Sequence, residues 1–146
     1  MQISGATVIP ATLHTTYELL TDADAIVKAM PGMKSMTQKS DSYYDADIEV
    51  GVAGIKGRYQ GSVEMKDVVQ PTRYTLVVKG EGAMGFMEAE VAISLNAKSD
   101  VETEVTYDAE AKVGGVVAGV GQRVLSGVAK LMIKQFMNGI ANQAKA

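Results

Sequence analysis

The stretch YYDADIEV, residues 43–50, decides the fold. In an extended chain Tyr44, Ala46, Ile48 and Val50, continued by Val52, share one face, and Tyr43, Asp45, Asp47 and Glu49 share the other. That is the pattern of a strand with one covered and one wet face. The same period recurs downstream. Ile55, Gly57, Tyr59, Gly61, Val63 and Met65 oppose Lys56, Arg58, Gln60, Ser62, Glu64 and Lys66. Met87, Ala89, Val91, Ile93 and Leu95 oppose Glu88, Glu90 and Ser94. Val101, Thr103, Val105, Tyr107, Ala109 and Ala111 oppose Glu102, Glu104, Thr106, Asp108 and Glu110. Tyr74, Leu76, Val78 and Gly80 mark a further strand, and the connections are short and rich in glycine or polar residues, as hairpins require.

Working outward, MQISGATVIP at the start reads as a first strand. Pro10 to Leu20 reads as a short helix, and Thr21 or Asp22 caps a second that ends at Pro31-Gly32. At the other end, Val117, Val120, Val124, Val128, Leu131 and Phe136 recur at helical spacing, predicting one amphipathic helix from Val116 to about Gln143. Arg123, Lys130 and Lys134 form a basic stripe off that arc, an ordinary solvent face or a weak contact for anionic lipid. The expected fold is α+β: a curved antiparallel sheet of six to seven strands wrapped around a long C-terminal helix, with two short helices after strand 1. No repeat or linker interrupts it, so one domain is expected over residues 1–146.

Composition removes several function classes. Without cysteine there is no disulfide frame and no thiolate metal site. His14, the only histidine, has no triad-like setting, and the carboxylates fall on the outward strand faces, so no catalytic residue and no metal ligand is expected. The first 110 residues carry nine basic against seventeen acidic side chains, a balance that repels nucleic acid. GVGQRV, residues 119–124, lacks both the lysine of a P-loop and the third glycine of a dinucleotide fingerprint, and no cofactor is expected. The first residues lack the basic flank and apolar run of a signal peptide, and the longest uncharged apolar stretch is about half a membrane span, which leads to a cytoplasmic expectation.

What remains points to binding. Antiparallel order places the loops 51–54, 80–85 and 114–119 at one end of the sheet, and the Met30 to Met33 turn arrives there too. Gly57, Gly61 and Gly80 remove volume from the covered face among Tyr44, Tyr59, Tyr74 and Tyr107, and Met30, Met33, Met84 and Met87 flank the proposed mouth. Gly115, Gly119 and Gly121 thin the start of the last helix where it faces that mouth, beside Val116 and Val120. These residues form the candidate ligand site, with Tyr59 as the foremost polar contact for a quinone or carbonyl. The same glycines also suit tight helix-on-sheet packing, and the tyrosines also suit core rings bonded to backbone.

Several segments together resemble the CoxG family of carbon monoxide dehydrogenase subunits, within the START-like, or SRPBCC, helix-grip superfamily. They are G-x-x-x-I-P-A (5–11), MPGM (30–33), VGVAGIKGRYQGSVEMKDV (50–68), GEGAMGF (80–86) and YDAEAKVGGVVAGVGQRVL (107–125), and they span nearly the whole chain. The resemblance implies a non-enzymatic accessory protein that holds a lipid or quinone-like molecule between sheet and last helix and serves a molybdenum hydroxylase. Many members carry an apolar C-terminal extension that can reach a membrane. This sequence ends at Ala146 without one, so only weak peripheral contact at the inner face of the membrane is expected. The alternatives are a docking module with a packed interior or, on superfamily likeness, a cyclase or hydrolase for apolar substrates.

Overall fold

In a computed structural model, which describes residues 1–52 and 54–145, the chain begins with strand β1 (Gln2–Ile9) and two short helices, α1 (Leu13–Thr21) and α2 (Ala23–Ala29). Six strands follow: β2 (Met33–Ser40), β3 (Tyr43–Val50), β4 (Gly57–Val69), β5 (Arg73–Gly82), β6 (Gly85–Ala97) and β7 (Thr103–Gly114). A 3-10 turn (Val116–Val120) then leads to the long helix α3 (Gln122–Lys145). All strand pairs are antiparallel in the order β1-β7-β6-β5-β4-β3-β2, so β1 and β2 are the two edges. The expected sheet and closing helix are therefore present.

Three local readings need correction. The first concerns β2, which no sequence alternation marked. In MKSMTQKS the only apolar residues, Met33 and Met36, lie three apart, and this edge strand exposes nearly all its side chains. Edge strands with little to bury leave no period-two signature.

The second concerns the last helix, which begins at Gln122 and not at Val116. Gly115 and Gly121 take φ values of 81° and 93°, a region that glycine alone enters freely, and they isolate residues 116–120 as a separate 3-10 turn. Helical phase cannot be counted across Gly121. As a result Val124 and Leu131 are half exposed, at 50% and 51%, although the arc projected from Val117 put them inside. The inward face of α3 instead carries Leu125, Val128, Ala129 and Met132, then Phe136, Met137 and Ile140. Arg123, Lys130 and Lys134 are exposed.

The third concerns α1, which starts at Leu13 behind Thr12. The Thr12 side chain accepts from the Thr15 N–H at 3.2 Å, so the helix begins after Pro10. Asp22 caps α2 in the same way, accepting from the Ala25 N–H at 3.0 Å.

The packed core occupies one half of the molecule. Ile9, Leu95, Val105 and Ile140 are buried where α1, α2 and the C-terminal half of α3 close on β1, β6 and β7. Gly139 lets α3 approach α2, since a Cβ there would sit 2.8 Å from Ala29 Cα. Gln143 Nε2 ties the two helices by donating to the Ala25 carbonyl at 3.0 Å.

Tyr74 is 2% exposed and meets Tyr17 edge to face, with ring centroids 5.8 Å apart. Burial pushes the phenol pKa of both rings above the ordinary value. Above about pH 10 the unfolded chain releases these protons while the folded chain retains them, so their contribution is intact below that pH and declines as pH rises past it. Tyr74→Phe should therefore flatten the alkaline loss of stability in urea titrations. An unchanged slope would refute the assignment.

Candidate functional site

The other half of the sheet is not filled. Strand alternation directs Ala46, Ile48 and Val50 of β3 and Tyr59, Gly61 and Val63 of β4 toward α3. Val78 and Gly80 of β5, Met87 of β6 and Val113 of β7 face the same way. Over them α3 presents Leu125, Val128, Ala129 and Met132, and Met1, Met30, Met33, Ile55 and Val117 close the ends. They enclose a cavity of about 290 Å³. That is space for roughly ten waters at liquid density and lies at the lower edge of small-molecule sites.

Its walls are almost wholly apolar. The Tyr59 hydroxyl donates to the Ile55 carbonyl at 2.6 Å, and burial pushes its pKa up. It therefore offers a ligand only its remaining acceptor capacity. Lys79 borders the cavity, but its side chain is exposed. The amino group of Met1 is held by the Ala111 carbonyl at 2.9 Å and Glu110 Oε1 at 3.3 Å. His14 pairs with Glu18 at 2.8 Å on the solvent face of α1. Among the described residues no group of three or more His, Cys, Asp or Glu side chains is arranged to hold a metal ion.

Of the candidate residues, Met30, Met33, Tyr59, Gly61, Gly80 and Met87 line the cavity. Gly61 and Gly80 face each other across β4 and β5 yet differ in kind. A Cβ on Gly80 would meet nothing within 4 Å, whereas one on Gly61 would fall 1.7 Å from the Lys79 carbonyl oxygen. Gly80 leaves space, and Gly61 permits close passage of backbone.

The other candidates lie elsewhere. Tyr74 belongs to the core, and Tyr107 lies over Gly5, where a Cβ would come within 2.5 Å of its hydroxyl oxygen. Tyr44 is half-buried on β3 outside the cavity wall. Gly57 abuts Met84 Cγ at 3.7 Å, measured from an added Cβ. Gly115 bounds the 3-10 turn, Val116 is 63% exposed, Gly119 faces open space, and Val120 rests on Gly54. The turn's cavity-lining residue is Val117, which its sequence pattern assigned to the helix arc and not to the site.

Four connections converge at this end of the sheet. The Glu49 N–H donates to the Gly32 carbonyl at 2.9 Å, joining the Met30 to Met33 turn to β3. The Val117 N–H donates to the Met84 carbonyl at 2.7 Å, joining the 3-10 turn to the β5–β6 hairpin. In the loop 51–54, position 53 lies outside the described residues, and Gly54 touches Val120. Around this rim Val52, Phe86, Met87 and Val116 are exposed, an apolar fringe beside the cavity.

The profile of the CoxG family of carbon monoxide dehydrogenase subunits matches residues 5–145. Among solved structures, a conserved protein from Geobacillus kaustophilus superposes with a TM-score of 0.96 at 36% identity, over 99% of this chain and 95% of that one. A START superfamily protein from Mycobacterium smegmatis gives 0.77 at 11% identity, over 99% and 97%. A Streptomyces aromatase/cyclase gives 0.69 at 14% identity, over 99% and 93%. The last two likenesses concern the fold alone. Comparison with functionally curated proteins gives no match.

Proposed function

The chain belongs to the CoxG family of carbon monoxide dehydrogenase subunits, and from that premise we propose that it binds an apolar small molecule, lipid or quinone-like, in the hollow between sheet and α3. One observation carries the reading: a cavity of about 290 Å³ whose inward side chains are nearly all aliphatic or methionine. Water in such a space finds few polar partners on the walls, so an apolar guest displaces it at little cost. An apolar guest regains the dispersion contacts that facing walls forgo. The four cavity methionines besides Met1 (Met30, Met33, Met87 and Met132) bring flexible, polarizable thioethers that conform to an irregular guest.

Binding rather than catalysis suits these walls. Acid–base chemistry needs an ionisable group within reach of the reacting atom, and the one phenol present is engaged by its own backbone. The partner to examine first is a molybdenum hydroxylase, with the apolar rim as the docking face. No helix among the described residues is long and apolar enough to cross a membrane.

Organic extraction of purified protein followed by mass spectrometry should recover an apolar species. Short-chain quinones or fatty acids at about a hundredfold excess over Kd should stabilise the stripped protein by about 2.7 kcal/mol, a rise in Tm of roughly 5 to 10 °C. No extracted species and no thermal shift with either class would overturn the proposal.

A further inference from the structure

The two edges of the sheet differ in a way that bears on assembly. Met1 and Ala111 exchange both backbone hydrogen bonds, each at about 2.8 to 2.9 Å. The β1–β7 register then runs without a shift through Ile3↔Ala109, Gly5↔Tyr107 and Ile9↔Thr103. In an antiparallel ladder alternate residues bond to alternate sides. The N–H and C=O groups of Gln2, Ser4, Ala6 and Val8 therefore point away from β7, and among the described residues no backbone hydrogen bond takes them up. Their side chains are exposed and uncharged.

The opposite edge is guarded. β2 has two register irregularities against β3, between Met33 and Ser35 and between Gln38 and Ser40. Pairing β2 with its own copy in full register would set Lys34 against Lys39. Bulges and directly opposed like charges are the usual means of keeping an edge from pairing. β1 has neither, nor a proline within its span.

We infer that β1 pairs with β1 of a second copy of this chain, antiparallel about a two-fold axis through Gly5, to make one continuous sheet. This is the register that uses all the free groups: Gln2 lies opposite Val8, and Ser4 opposite Ala6, in hydrogen-bonded pairs, with Gly5 facing Gly5 in the close, non-bonded position. No charged side chain opposes another. The nearest acids on the outer face, Glu104, Asp108 and Glu110 of β7, are separated from their copies by three strand spacings, roughly 14 Å. That exceeds the Debye length at physiological salt. The axis stands perpendicular to the sheet, so both cavities lie on one side and their mouths point in opposite directions. The pairing is independent of what the cavity holds.

Sedimentation of the full chain from roughly 1 μM to 1 mM should show a concentration-dependent dimer, as a single edge pairing is a small interface. Ser4→Lys/Ala6→Lys places like charges across both inner pairs on exposed positions and should weaken the dimer about tenfold or more. Ser4→Lys/Ala6→Glu places opposite charges there and should restore it. The amides of Gln2, Ser4, Ala6 and Val8 should gain hydrogen-exchange protection as concentration rises. A monomer throughout, or a dimer indifferent to both variants, would overturn the inference.

Discussion

Gly61→Ala is expected to destabilise the protein by about 3 kcal/mol or more, lowering Tm by roughly 6 to 12 °C. The reason is local and steric. The added methyl would sit 1.7 Å from the Lys79 carbonyl oxygen and 2.8 Å from Gly80 Cα, both backbone atoms of the neighbouring strand. No rotamer relieves a clash with backbone, so β4 and β5 must separate in the middle of the sheet and give up ladder bonds around the Gly61↔Gly80 pair. The φ of Gly61 lies outside the positive region, so the cost comes from crowding and not from torsional strain. Urea unfolding of the variant beside wild type measures it. A difference under 1 kcal/mol would show that the two strands can part at this point without loss, and close backbone passage would not be what Gly61 provides.

This contrast marks how far the sequence could be read. Alternation assigns a residue to a face of the sheet, and the face was right for β3 to β7. It does not say how far the covering helix stands from the sheet at each point along a strand. Tyr74 and Gly80 lie on the same face of β5, six residues and roughly 20 Å apart. One is sealed against Tyr17 in the core, and the other looks into open space. The tyrosines therefore could not be sorted into core and site by pattern alone. Nor could Gly61 be told from Gly80, since clearance to a neighbouring backbone is a property of three-dimensional approach. On α3 the loss of phase at Gly121 hid Leu125, Ala129 and Met132, the helix's main contributions to the cavity. The GGVVAGVG run did hold a signal, because two glycines bounding five residues suit a non-helical insert as well as a thinned helix.

Gly80→Phe should abolish ligand uptake while leaving the fold intact or stabilising it. A side chain built on Gly80 starts with nothing within 4 Å of its Cβ and projects into the cavity between Val78, Met87 and α3. An aromatic ring there takes a large share of about 290 Å³ and meets the apolar wall that a guest would otherwise cover. Burying the ring contributes on the order of 2 kcal/mol, and replacing glycine in a strand removes a further entropic penalty of about 0.5 to 1 kcal/mol. Crowding against neighbours offsets part of this gain. Affinity for quinone or fatty-acid probes should fall at least roughly a hundredfold, with the ligand-induced thermal shift lost and no apolar species recovered by extraction. Tm without ligand should match or exceed that of wild type, which separates a filled cavity from a damaged fold. A folded variant that binds the probes as wild type does would place the site elsewhere, because no guest of useful size shares this hollow with a phenyl ring.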